Sequence, residues 1–86
     1  IYIGVDIGRT RDLTVIWVLE EIAGTFFTRG VIELTKTKFS AQENILYPLI
    51  AHPNTRRVCI DQTGIGRQFA ERAEDRFGRY KVEGIN

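Results

Sequence analysis

Apolar residues follow two different rhythms along this chain. Residues 1–7 (IYIGVDI) are almost unbroken in apolar and β-branched types, which predicts a central strand buried on both faces. Residues 8–12 are a polar turn. In residues 13–21 (LTVIWVLEE) the alternation puts Leu13, Val15, Trp17 and Leu19 on one face of a second strand. Ile22-Ala23-Gly24 supplies a turn. Residues 25–34 (TFFTRGVIEL) predict a third strand, with Gly30 as a candidate bulge. Connections this short make the three strands an antiparallel meander. Trp17, Phe26 and Phe27 are expected in the core.

After a linker over residues 35–39 the period becomes helical. Ser40 and Glu43 fit a capping box, in which each side chain bonds a free backbone N–H at the other's position. Ile45, Leu46, Leu49 and Ile50 form an apolar stripe, and Pro48 within it should kink the helix or disturb its last turn. His52-Pro53-Asn54 ends it, with His52 a solvated loop residue. Residues 57–61 (RVCID) read as a short buried strand. Thr63 and Gly64 open a second helix whose core stripe is Ile65, Phe69, Ala73 and Phe77. Glu71, Glu74 and Asp75 face outward, and Gly78 caps the end. Residues 80–85 resume a strand. The order is β-β-β-α-β-α-β, an α/β mixed sheet. Right-handed crossovers place the fourth strand beside and parallel to the first, with the meander on the other side.

That arrangement matters because two runs end in a carboxylate. Asp6 closes IYIGVD and Asp61 closes RVCID. A carboxylate at the end of a buried strand is costly unless it meets a cation or good hydrogen-bond donors. On adjacent parallel strands both would lie at the carboxyl edge, where open α/β sheets bind ligands, and together they suit a divalent metal. Around Asp6, Gly4 leaves room above the sheet and Gly8 permits a sharp turn. Asp12 either adds a ligand or outer contact, or is a solvated turn residue. After Asp61, Gly64 and Gly66 bracket the first turn of a helix whose N–H groups attract anions such as phosphate. Alternatively the glycines serve tight packing and Asp61 caps the helix. Glu33 reads as solvated. One histidine, away from the strand ends, makes a Ser–His–Asp or Cys–His arrangement untenable, and no P-loop segment is present.

Composition narrows the field only a little. At 86 residues, 43% hydrophobic and 27% charged, the chain is one domain or part of one. A net charge of +1 names no partner. Arg9, Arg11, Arg29, Lys36, Lys38, Arg56, Arg57 and Arg67 mostly lie near strand ends, either as solvated charge or as one basic face. The lone Cys59 rules out an internal disulfide and a cysteine zinc cluster, and reads as a small buried hydrophobe. No apolar stretch is long enough for a membrane span, and no signal peptide is visible, so a cytoplasmic setting is the default. A start directly in a strand, and a last strand that stops as it begins, read as a segment of a longer protein.

The element order resembles the ribonuclease H-like superfold. More narrowly, Gly4-Val5-Asp6-Ile7-Gly8-Arg9-Thr10-Arg11-Asp12 and Cys59-Ile60-Asp61-Gln62-Thr63-Gly64-Ile65-Gly66 resemble the nuclease domain of the large subunit of tailed-phage terminases, in its Mu-like phage and prophage variant. The resemblance implies that Asp6 and Asp61 are catalytic ligands of two Mg²⁺ or Mn²⁺ ions, with Asp12 an accessory position. It implies hydrolysis of double-stranded DNA during genome packaging in the host cytoplasm, beside a terminase small subunit and a portal protein. The third carboxylate would follow Asn86 and the packaging ATPase would precede Ile1, so this piece alone would cut poorly. Arg9, Arg11 and Arg67 are candidates for phosphate contact by position. A D-x-G-x-T turn also opens actin-like sugar kinases and ATPases, which would bind ATP phosphates at Gly8 to Thr10. Arg9 in place of a second glycine argues against that reading. Another ribonuclease H-like nuclease, a resolvase or transposase, is the further alternative.

Overall fold

The computed structural model describes residues 1–8 and 13–86. Its elements are β1 (Tyr2–Ile7), β2 (Leu13–Ile22), β3 (Thr25–Thr35), α1 (Phe39–Ala51), β4 (Arg57–Asp61), α2 (Gly66–Phe77) and β5 (Val82–Ile85). They form a five-stranded sheet in the order β3-β2-β1-β4-β5. β1, β2 and β3 are antiparallel neighbours, whereas β4 runs parallel to both β1 and β5. This is the mixed sheet expected from the pattern. The bulge is real and lies next to Gly30: Val18 pairs with Gly30 and Leu19 with Thr28, leaving Arg29 as the extra residue.

One face of the sheet carries the core. Ile3, Val5, Ile7, Ile16, Val58, Ile60 and Val82 point into a buried cluster with Leu46 and Ile50 of α1 and Phe69, Ala70 and Ala73 of α2. The opposite face holds Tyr2, Gly4 and Asp6 of β1, Trp17 of β2 and Val31 of β3. It is open to solvent, with Trp17 42% and Phe26 54% exposed. The expectation that β1 is buried on both faces is therefore wrong, as is the placing of Trp17, Phe26 and Phe27 in the core. Both crossover helices pack on the same side, so alternate residues of every strand are left uncovered. Phe27 lies at the sheet edge under the Arg29 guanidinium, 5.4 Å from its ring centre. Cys59, on the open face, is half-buried rather than buried.

The helices depart from expectation at their starts. Ser40 is not an N-cap: α1 begins at Phe39, its N-cap is Lys38, and no side chain caps it. Glu43 has other partners. It accepts bonds from Arg72 Nε (2.8 Å) and Nη2 (3.1 Å) and from the Tyr47 hydroxyl (2.9 Å), tying α1 to α2. A half-desolvated guanidinium–carboxylate fork outcompetes a local cap. α1 continues through Pro48 to Ala51. Along it Leu46 and Ile50 are buried, whereas Ile45 is 38% exposed. α2 starts at Gly66, after a turn over residues 63–65. Phe69 and Ala73 form its buried stripe, and Ile65 is exposed. Glu74 does not face outward but accepts a bond from the Gly84 N–H at 2.8 Å. With the Val82 N–H bonded to Gly78 O at 3.0 Å, it covers the free edge of β5.

The Glu43 fork has a measurable consequence. The Arg72 hydrogen bonds hold the Glu43 carboxyl below its ordinary value against the opposing effect of burial, and the Tyr47 hydroxyl helps. Burial, then Glu43, pushes the Tyr47 hydroxyl up to about 12. Because the folded Glu43 pKa is depressed, its stabilisation is present above the ordinary glutamate value of 4.5 and is lost as pH falls through the folded value. Arg72→Ala is expected to lower the urea midpoint at pH 7, modestly because the Arg72 side chain is 62% exposed. The difference from wild type should shrink as the pH falls below 4.5.

Candidate metal centre

The parallel pairing of β1 and β4 sets the site. Gly4 lies opposite Cys59 and Val5 opposite Ile60. One residue further along each strand, Asp6 and Asp61 stand at the same level at the carboxyl ends. Adjacent strands run about 4.8 Å apart. Val5 and Ile60 point into the core, so both carboxylates point to the open face. Asp6 is exposed and Asp61 half-buried. Across the other edge of β1, Asp6 pairs with Val15, and Val15 pairs with Glu33. Glu33 therefore shares the row but lies two strands off, roughly 10 Å from Asp6, exposed as expected.

Local sequence explains why Asp61 is held there. Its Oδ1 accepts the Thr63 backbone N–H at 2.9 Å and the Thr63 hydroxyl as well. This closes a turn of the kind aspartate and threonine favour. Asp61 thus shapes the exit from β4 and does not cap α2, whose N-cap is Ile65. The Thr63 hydroxyl, then its N–H, holds the Asp61 carboxyl below its ordinary value, so it stays ionised into acid. Two glycines are required by close approach. A side chain on Gly8 would overlap the Leu13 backbone, and one on Gly66 would overlap the Asp61 carbonyl oxygen. Gly66 lets the first turn of α2 press against the strand end that carries Asp61. Gly66→Ala is expected to cost about 1–3 kcal/mol by overpacking and to move the Asp61 and Thr63 signals in an NMR spectrum, with those of β2 unchanged.

Asp6 and Asp61 are side by side, and among the described residues no cation is ion-paired to either. Two adjacent hard, oxygen-only donors repel one another and favour a divalent cation between them, Mg²⁺ or Mn²⁺ by donor type. Among the described residues no third acidic, His or Cys side chain completes a cluster able to hold a metal. Asp12, Arg9, Arg11 and the Thr10 end of the Gly8 turn lie outside the described residues. Arg67, in the first turn of α2, is exposed and lines a shallow hollow with Phe39 and Ile65. Sequence reasoning passed over Thr63 as the clamp on Asp61, although the D-x-T spacing was a sufficient signal for it.

The model of the terminase RNaseH-like domain family matches residues 3–86. No curated protein and no solved structure matches the chain. With almost its full length covered by that match, and with the strand order and the paired strand-end carboxylates described above, the chain belongs to the terminase RNaseH-like domain family.

Proposed function

We propose that this domain is the metal-dependent DNA endonuclease of a phage or prophage terminase large subunit, cutting concatemeric double-stranded DNA during genome packaging in the host cytoplasm. The observation that carries the reading is the level placement of Asp6 and Asp61 at the carboxyl ends of adjacent parallel strands, facing solvent on one side of the sheet. Asp6 and Asp61 would hold Mg²⁺ or Mn²⁺, with Asp12 an accessory ligand. Divalent ions held there would supply the charge that activates a water and neutralises the leaving oxygen of a phosphodiester.

The chain's own residues do the positioning. Thr63 fixes one carboxylate oxygen of Asp61 by two hydrogen bonds, and the other, which has no hydrogen-bond partner among the described residues, would act as ligand. The low pKa of Asp61 keeps it charged at the pH of the reaction. Gly8 and Gly66 keep the two strand ends close to the turns that follow them. Arg67, with Arg9 and Arg11, would contact DNA phosphates, giving strong salt dependence and little base readout. The remaining ligand, the packaging ATPase, and the contacts to small subunit and portal protein would come from outside residues 1–86. A plasmid-nicking assay in Mn²⁺ tests the reading: a terminase carrying this domain should nick and linearise DNA, and EDTA should stop it. Cleavage that persists unchanged in EDTA would refute it.

A further inference from the structure

A second cavity lies on the helix side of the same carboxyl edge. It encloses about 320 Å³ and is lined by Ile7, Gly8, Thr14, Lys36, Thr37, Lys38, Phe39, Gln42 and Ile65. That volume falls at the small end of the range for ligand pockets. Three features give it chemistry. Lys36 and Lys38 are exposed, and neither is ion-paired among the described residues. The N-terminus of α1 opens at the same turn with no side-chain cap and no acidic residue in its first turn. Its first internal bond is from Gln42 N–H to Lys38 O, so the N–H groups of Phe39, Ser40 and Ala41 precede it. The third feature is independent. Gln42 is only 4% exposed, its Nε2 donates to Thr37 O at 2.6 Å, and its Oε1 is buried with no partner among the described residues.

An orphaned buried acceptor is costly, and native proteins rarely keep one without a ligand or water for it. Two lysines and free helix N–H groups favour an anion; an amide oxygen needs a donor. A bare phosphate satisfies only the first. A nucleotide satisfies both, with a phosphate and, one sugar away, base N–H donors.

We propose that this cavity is a nucleotide subsite, with a phosphate held by Lys36, Lys38 and the first-turn N–H groups of α1 and a donor of the attached base directed at Gln42 Oε1. The proposal rests on the DNA-cleaving reading only for the source of the nucleotide, a strand wrapped over the carboxyl edge from the acidic pair. It deepens that reading by adding a hold on the strand at the other side of Ile7 and Gly8.

The test is an NMR titration of the 86-residue chain in EDTA. The probes are inorganic phosphate, deoxyguanosine monophosphate and a short single-stranded oligonucleotide. The expected result is that both nucleotides shift the Gln42 side-chain amide together with the backbone amides of Ser40 and Ala41. The oligonucleotide should bind more tightly, and K36A/K38A should weaken binding about tenfold. Because Lys36 and Lys38 are exposed, the double variant keeps the fold. Ser40 and Ala41 shifts matched by inorganic phosphate, with Gln42 unmoved, would reduce the cavity to a simple anion site and overturn the proposal. Tighter binding of the mononucleotide than of the oligonucleotide would overturn DNA as the source. Since no metal is present, these outcomes are separate from the fate of the metal-dependent reading.

Discussion

Phe69→Ala is expected to remove a large share of the stability of this domain. Phe69 is 1% exposed and sits where α2 meets α1 above the sheet. Its ring packs edge-on against Phe39, with centroids 5.4 Å apart at 70°. Truncating such a residue removes both its transfer energy and its contacts, about 3–5 kcal/mol. Domains of this size have only about 5–15 kcal/mol in total. Thermal melting followed by circular dichroism should show a fall of roughly 12–40 °C. Trp17→Ala is the control: Trp17 is larger, but it lies on the open face at 42% exposure, so its loss should lower the melting temperature far less. If Trp17→Ala proved the more damaging of the two, the open face would be structural and the core misplaced.

The second large effect is on chemistry. Asp6→Asn or Asp61→Asn in a terminase carrying this domain is expected to lower Mn²⁺-dependent nicking by on the order of 10²-fold or more, since outer partners of metal ligands alone account for 10- to 100-fold. Asparagine keeps the shape of each side chain and removes one of two adjacent like charges. Stability should therefore hold or rise slightly in Asp6→Asn and fall slightly in Asp61→Asn, where the bonds from Thr63 lose their charged acceptor, and urea denaturation separates this from unfolding. The two variants should also be non-additive, because they act on one site. Independent losses that multiply in the double variant would mean that the carboxylates serve separate purposes.

Much of this was legible in the chain because local and global signals agreed. The apolar runs ending at Asp6 and Asp61, the short turns of the meander and the right-handed crossover rule together dictated the strand order. The register that levels the two carboxylates followed from it. What the pattern could not give was the number of covered faces. IYIGVDI reads the same whether one or two layers of helix lie against it. Trp17 and Phe26 are apolar whether or not anything covers them. The helix starts were misread for a different reason. Ser40 with Glu43 is a good capping box locally, but Glu43 is drawn to Arg72, 29 residues on, a pairing that only the packed helices create. Glu74 likewise looks solvent-facing by helical period, yet it bonds the edge of β5 because the strand folds back beneath it. Lys36 and Lys38 were visible only as charge. Their place beside the uncapped start of α1 and the orphaned Gln42 oxygen depends on tertiary structure.

Direct Mn²⁺ binding by this chain, measured by calorimetric titration of wild type, Asp6→Asn and Asp61→Asn, tests the central claim most closely. The account predicts saturable binding, weak because the described residues supply two carboxylates, and its loss in both single variants. Binding that survives in either variant, or that is absent while the fold is intact, would contradict a shared metal site at the ends of β1 and β4.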